Sequence, residues 1–276
     1  MNENTNQISR IAKLFDSLSD SYDSVGVDFF QPIASGLVHA LKPSLGESWL
    51  DIGCGRGAVA ESAATILGSS GKLLGFDISA RMIENAEAMA DRKNLRNVDF
   101  IVDDAQSPEK IDGEFDVISS CLVLFFLPDP LSALQNWRPF LKGSGRIGVT
   151  TFGKNDSRWM EIDQLFETYL PPKTLDARTS GVQGSFSSDL GMESLLLAAG
   201  YHDVMTVTNI LPVKFNTVEK WYEFSWSTGQ RSAWLQVPEE ERPALRAKAE
   251  EYLLNYLEDD GSVVFHQEIR HTLAKK

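Results

Sequence analysis

Three glycines at alternate positions follow a short strand-like run in this chain. Residues 49–52 are apolar apart from Asp51, and Gly53, Gly55 and Gly57 come directly after them. This pattern is typical of a sharp turn from a strand into a helix, where the backbone can approach a ligand closely. Because the negative carboxylate of Asp51 would repel a phosphate group, the sequence indicates a ligand that carries positive charge.

Two further acids end the next two predicted strands. A carboxylate at Asp77 can accept hydrogen bonds from both hydroxyls of a ribose, and Ile78 could pack against adenine. At the end of the third strand, Asp104 could accept from the adenine amino group while the Ala105 N–H meets a ring nitrogen. Side-chain alternation lets only one of Asp103 and Asp104 face the ligand, and we favour Asp104. The acids therefore predict a cofactor that contains adenosine.

Two classes of cofactor fit these features. A dinucleotide-binding loop needs its third small residue one place after Gly57, and Ala58 satisfies that requirement, so spacing alone does not decide. Asp51 is more informative, since it can accept hydrogen bonds from an ammonium group. We therefore predict S-adenosylmethionine (SAM), with an NAD-dependent dehydrogenase as the alternative.

A set of motifs in this chain resembles the class I SAM-dependent methyltransferases, in particular the small-molecule branch that includes the ubiquinone/menaquinone C-methyltransferases. The resemblance covers roughly residues 45–152, and the motifs keep the family's order and spacing. They are the glycine turn at 50–57, the segments 75–79, 103–105 and 115–119, and a degraded Leu-Lys-Pro-Gly-Gly turn at 141–146.

The resemblance implies roles for individual residues. Gly53 and Gly55 would contact the methionine end of SAM, and the acids described above would take its ammonium, ribose and adenine. The backbone of Ser120 and Cys121 would lie beside the sulfonium, and Tyr22 would cover the methionine part. No metal is expected, because the two cysteines lack ligand spacing.

Large aromatic side chains in the segments expected to cover the site indicate the kind of methyl acceptor. Many relatives carry a polar pair such as His-His after the fourth strand, where this chain has Phe125 and Phe126. We assign no catalytic base, since each of the four histidines is expected to be structural or exposed. Together with Trp159, Phe186 and Trp226, the two phenylalanines form a predicted apolar substrate pocket.

An apolar or prenylated small molecule is therefore the expected acceptor. The best hypothesis is C-methylation of an isoprenoid or another secondary metabolite, and a terpenoid-indole methyltransferase of the teleocidin type is one candidate. A quinone-precursor C-methyltransferase and a natural-product O-methyltransferase are alternatives. A non-methylating protein of the same fold, such as a cyclase, is a remote one.

The composition of the chain excludes some partners. A net charge of −13 over 276 residues argues against nucleic acid and against an anionic membrane surface. Neither a signal peptide nor an apolar run long enough to span a bilayer is visible, so a cytoplasmic location is expected.

Alternating strand-like and helix-like segments position these residues. They predict an α/β fold with a doubly wound, mostly parallel seven-stranded sheet. We expect an N-terminal helical arm at 1–44 and a methyltransferase domain at 45–276, with lid insertions at about 153–188 and 216–260. The first helix is amphipathic and is expected to stand partly outside the core, where exchange with a second copy would build a homo-oligomer.

Further elements are expected at defined positions. Helices are predicted over 130–140 and 160–169, and Asp189 is a candidate cap for a helix over 189–199. The last two strands are predicted over 204–210 and 262–273.

Overall fold

A seven-stranded sheet forms the centre of the molecule. The computed structural model describes residues 3–19, 25–170 and 184–276. The strand order is β3-β2-β1-β4-β5-β7-β6; β1 to β5 are parallel, and β7 is antiparallel to both of its neighbours. This confirms the predicted doubly wound, mostly parallel sheet. The strands are β1 (Ser48–Ile52), β2 (Lys72–Asp77), β3 (Val98–Val102), β4 (Phe115–Cys121), β5 (Leu141–Phe152), β6 (His202–Phe215) and β7 (Val263–Lys275).

Helices cover both faces of the sheet. Side chains alternate along each strand, so Trp49 packs against α2, α3 and α4 on one face, while Leu50 packs towards α5 and α7 on the other. The helices are α1 (Glu3–Leu18), α2 (Phe30–Leu41), α3 (Ala58–Leu67), α4 (Ala80–Arg92), α5 (Pro130–Trp137), α6 (Ser157–Gln164), α7 (Asp189–Ala198), α8 (Val218–Ser227), α9 (Arg231–Gln236) and α10 (Arg242–Leu254).

Several boundaries differ from those predicted. The helix expected over 130–140 becomes a 3₁₀ turn after Trp137, where a proline follows. The helix expected over 160–169 is α6, which begins and ends earlier. Ser188 rather than Asp189 caps α7, and the carboxylate of Asp189 instead accepts from Arg270 Nε at 2.6 Å. Strand β6 extends beyond both of its predicted ends, whereas β7 begins one residue later than predicted and ends two residues later.

The extra length of β6 and β7 supports a separate group of helices. Pairing between β5 and β7 ends at Phe152 and Ile269, whereas β6 and β7 stay paired as far as Phe215 and Val263. Helices α6 and α8 pack on this extension, α9 and α10 pack on α8, and we call these four helices the cap. Among the described residues no helix has both the length and the apolarity to cross a bilayer.

Helix α1 lies across the carboxyl ends of the strands instead of standing outside the core. The Phe15 ring meets Phe126 edge to face, with centroids 5.5 Å apart. Ser79 Oγ donates to Asp16 Oδ1 at 2.5 Å, and Arg231 in the cap donates to the Ser17 carbonyl at 3.1 Å. The helix is therefore tied to its own chain at several points. The domain division at residue 44 and the exchange of α1 between copies stay predictions.

Candidate functional site

A cleft opens beneath α1 at the carboxyl ends of the parallel strands. It encloses about 1070 Å³ of space, part of which is open to solvent. The predicted cofactor residues that line it are Asp51, Gly53, Gly55, Asp77, Ile78, Asp104, Ala105 and Cys121. The side chain of Ser120 is buried away from the cleft, and Tyr22 lies outside the described residues.

The glycine turn forms one end of the cleft. Gly53 has φ +69°, and a side chain there would collide with Val123. Gly55 has φ +53°, and a Cβ built on it would meet no atom within 4 Å. Its backbone therefore faces open space, as close approach of a ligand to the turn requires.

Asp77 joins this turn to the next strand. Its carboxylate accepts from Gly55 N at 3.0 Å and from Ser79 N at 2.9 Å. Burial raises the pKa of Asp77, while these backbone donors act in the opposite direction. Each carboxylate oxygen has more than one lone pair, so Asp77 can hold the turn and still accept from a ligand.

Asp51 presents a buried carboxylate oxygen without a partner. Ser119 Oγ donates to Asp51 Oδ1 at 2.6 Å, whereas Oδ2 has no hydrogen-bond partner among the described residues. Burial raises the pKa of Asp51 to about 7, with Asp77 adding to the shift and Ser119 opposing it. An unpaired buried carboxylate is unfavourable unless a cation or donor meets it, so this oxygen fits an ammonium group.

The adjacent acids Asp103 and Asp104 have different surroundings. Asp103 accepts from the backbone N–H groups of Asp104, Glu109 and Lys110 at 2.9–3.1 Å, so it organises its own loop. Asp104 lines the cleft, and burial raises the pKa of its carboxyl group. The Ala105 carbonyl beside it accepts from the Trp137 indole at 2.7 Å. This geometry favours Asp104 as the adenine acceptor.

The opposite wall of the cleft is apolar. Three side chains of α1, Ile8, Ile11 and Phe15, face Phe126 and the residues that follow it. Their spacing predicted an amphipathic helix but not where its apolar face would lie. Leu122 also lines this part, with φ +60°, a conformation unfavourable for leucine that redirects the chain at the end of β4.

Of the five aromatic residues predicted to form a substrate pocket, only Phe126 lines this cleft. Phe125 packs behind it, stacked on Phe152 with centroids 5.7 Å apart, and Phe186 meets Phe125 edge to face. Large rings bury themselves against one another wherever they can. These residues therefore contribute to the core behind the cleft.

The other two predicted pocket residues lie in the cap. Trp159 is buried against Phe265 with centroids 5.0 Å apart, and Trp226 stacks on Trp234 at 5.8 Å. The described structure places neither in the cleft, because the rings of the cap pack into the hydrophobic core that continues from the sheet. Their assignment to the acceptor pocket has no geometric support among the described residues.

The charge of the cleft is strongly asymmetric. Asp51, Asp77 and Asp104 line it, Asp16 lies close by on Ser79, and Arg56 is the one basic residue among the described lining side chains. SAM carries an ammonium and a sulfonium against one carboxylate, whereas NAD carries a pyrophosphate. The donor and acceptor set of this cleft therefore fits SAM better than a dinucleotide.

Comparison with known proteins identifies the class. A family described as a methyltransferase domain matches residues 44–186. An aklanonic acid methyltransferase of Streptomyces sp. (strain C5) is 40% identical over 142 residues, which is 51% of this chain and 64% of that enzyme. The first match thus spans less than two thirds of the relative's length.

Two further similarities extend over most of the chain. A nocamycin O-methyltransferase of Saccharothrix syringae is 29% identical over 245 residues, or 85% of this chain and 88% of that enzyme. The solved structure of the YcgJ protein from Bacillus subtilis has a TM-score of 0.56 at 17% identity, covering 88% of this chain and 97% of that one, which shows a shared fold. The chain belongs to the SAM-dependent methyltransferases, and the predicted family and cofactor are confirmed.

Proposed function

We propose that this chain methylates an ionised oxygen of a small, largely apolar natural product. The observation that carries this proposal is the division of the cleft into an acidic half and an apolar half, whose described lining side chains include no histidine, lysine or tyrosine. The nocamycin O-methyltransferase supports the choice of oxygen, since its similarity covers 88% of that enzyme. The proposal therefore takes the natural-product O-methyltransferase alternative in preference to C-methylation of an isoprenoid.

The acidic half would hold the cofactor. Asp51 would accept from the ammonium, Asp77 from the ribose hydroxyls, and Asp104 from the adenine amino group, while the Ala105 N–H would donate to a ring nitrogen. When bound, SAM supplies an electrophilic methyl group on a positively charged sulfur. Cys121 would lie on this side of the cleft as a neutral thiol, because burial raises its pKa to about 12.

The apolar half would hold the acceptor. Ile8, Ile11, Phe15 and Phe126 offer apolar surface to a flat molecule and exclude water from the reacting atoms. An ionised oxygen supplies the electron pair of the new O–C bond and has no proton to lose. The described residues of the cleft include no histidine, lysine or tyrosine, and such an acceptor needs none of them.

Aklanonic acid and its methyl ester are a matched pair of probes for this proposal. Incubation with methyl-deuterated SAM should label an oxygen of the acid, with one S-adenosylhomocysteine formed per product, and should leave the ester unlabelled at the same position. Mass spectrometry and NMR locate the label. Labelled carbon, or equal labelling of acid and ester, would contradict the proposal.

C-methylation of an electron-rich ring or alkene is the second candidate. It is favoured by the two rings that face the cleft, Phe15 and Phe126, since aromatic faces stabilise a developing carbocation. A prenylated indole and a demethylated quinone precursor, offered under the same conditions, would take the label on carbon if this candidate is correct.

A cytoplasmic location and a homo-oligomer stay predictions. The charge of −13 supports the first. The contacts between α1 and the rest of the chain could form equally well between two copies, and light scattering on a variant lacking residues 1–18 tests the exchange. An assembly of unchanged size would rule out the exchange.

A further inference from the structure

We propose that Trp49 and Ser119 form a buried hydrogen-bond relay that positions Asp51 for the ammonium of the cofactor. The inference rests on the proposed placement of SAM in this cleft. It assigns a positioning role to two residues that do not line the cleft and for which the sequence motifs implied no role.

The relay consists of two short hydrogen bonds. Trp49 Nε1 donates to Ser119 Oγ at 2.7 Å, and Ser119 Oγ donates to Asp51 Oδ1 at 2.6 Å. Trp49 and Ser119 are fully buried, and Asp51 is 1% exposed. The pairing of β1 with β4 places Ser119 directly opposite Asp51. Two rigid strands therefore hold all three groups.

Chemistry fixes the direction of the relay. An indole N–H can only donate, so the Ser119 oxygen must accept from Trp49. The single hydroxyl proton of Ser119 is then left for Asp51 Oδ1. This arrangement orients the carboxylate and leaves Oδ2 as the oxygen without a partner in the described structure. Asp51 lines the cleft, so that oxygen is the one available to a cationic ligand.

The relay also favours the charged form of Asp51. A hydroxyl donor stabilises a carboxylate over the neutral acid, and it acts against both burial and the nearby charge of Asp77. The other titratable neighbours are Cys54 and Cys121, whose pKa values are raised by burial, so they stay neutral near pH 7. On α1, Asp16 acts on Asp77 and so only indirectly on Asp51.

Calorimetric titration of SAM from pH 5.5 to 9 tests the relay without measuring turnover. In Ser119→Ala we expect the midpoint of the pH dependence of binding to rise by about one unit, with affinity at pH 7 reduced about tenfold and largely recovered at pH 9. Trp49→Phe should shift the midpoint in the same direction by a smaller amount, because the hydroxyl remains but is free to rotate.

Two controls separate the relay from a general loss of packing. Thr151→Val removes a buried hydroxyl without a partner from β5 and should leave the midpoint unmoved. In an Asp51→Asn background, Ser119→Ala should cause no further shift in the pH dependence of SAM binding. A wild-type midpoint in both Ser119→Ala and Trp49→Phe overturns the relay alone. Absence of SAM binding by the wild-type protein at every pH overturns the proposed function beneath it.

Discussion

The cleft and the cap bury their side chains in opposite ways. In the cleft, three carboxylates lie at the ends of neighbouring strands, and one carboxylate oxygen of Asp51 has no partner in the part of the chain that the structure describes. In the cap, rings such as Trp159 and Trp234 are buried against other rings. One region keeps unfavourable polar groups for a ligand, and the other satisfies its apolar groups internally.

The difference teaches that residue type alone does not distinguish a site from a core. A carboxylate at the end of a parallel strand is costly to bury and therefore points to a ligand. A tryptophan can serve a binding pocket or a core equally well. The following predictions separate the two regions by asking which substitutions change stability and which change cofactor binding.

Removing a central ring of the cap should destabilise the fold without affecting cofactor affinity. Trp234 packs edge to face on Phe166 at 4.8 Å and donates to Ser225 Oγ at 2.8 Å. We expect Trp234→Ala to lower the free energy of unfolding by about 3–5 kcal/mol. Denaturant unfolding measures this, and Leu235→Ala, at a half-exposed neighbour, is the control. A large loss of SAM affinity in the folded variant would contradict the separation.

Removing Asp77, the carboxylate proposed to bind the ribose, should have the reverse effect. We expect Asp77→Ala to weaken SAM binding by about 100-fold or more, since two hydrogen bonds to a charged acceptor are lost. Calorimetry at pH 8 measures the change. Glu87→Ala, which removes an exposed acid from α4, should bind SAM as the wild type does. Equal affinity of the two variants would remove Asp77 from the site.

The ionised carboxylate of Asp51 should lower the stability of the fold and raise the affinity for SAM. Its pKa in the folded chain, about 7, lies above the ordinary value of 3.8. Its contribution to stability is therefore full below pH 4 and is lost as the pH rises through 7. Without ligand, Asp51→Asn should be more stable than wild type by about 2 kcal/mol at pH 8 and show no such advantage at pH 4.

The measurement for Asp51 is thermal unfolding across that pH range, with SAM titration alongside. The asparagine variant should bind SAM at least about tenfold more weakly, because the ammonium loses its charged partner. A variant less stable than wild type at pH 8, or one with unchanged SAM affinity, would show that this carboxylate is a structural group.

A smaller effect is expected from the apolar wall of the cleft. Phe15→Ala should raise the KM of the acceptor about tenfold, because a ring that contacts it is lost. The SAM dissociation constant should change by less than about threefold. Ser17→Ala, at an exposed position of the same helix, is the control. If the dissociation constant of SAM rises and the KM does not, Phe15 belongs to the cofactor half.

The sequence could predict the sheet and the three acids that line the cleft because both depend on short stretches of chain. Asp51 and Gly55 belong to one turn. Asp77 and Asp104 each follow a strand that the pattern of apolar residues predicts. Ser119 could not be found in this way, since its place opposite Asp51 depends on the register between β1 and β4. Register is set by the whole sheet.

The acceptor side of the site could not be predicted from the sequence, because it depends on long-range packing. The apolar stripe of α1 was visible, but whether Phe15 would face this cleft or a second copy was not. Trp159 and Trp226 were assigned to the pocket because insertions rich in rings often cover active sites. The structure shows that the extended β6–β7 pair gives these rings a core to join, and nothing local in the sequence reveals that extension.

Hydrogen–deuterium exchange with and without saturating SAM is the most direct test of the division between cleft and cap. We predict slower exchange over 51–57, 77–79 and 104–106, with a further decrease over residues 7–18 of α1, and no change in α8, α9 and α10. Protection of the cap as strong as that of the glycine turn, or an unprotected turn, would contradict this account of the molecule.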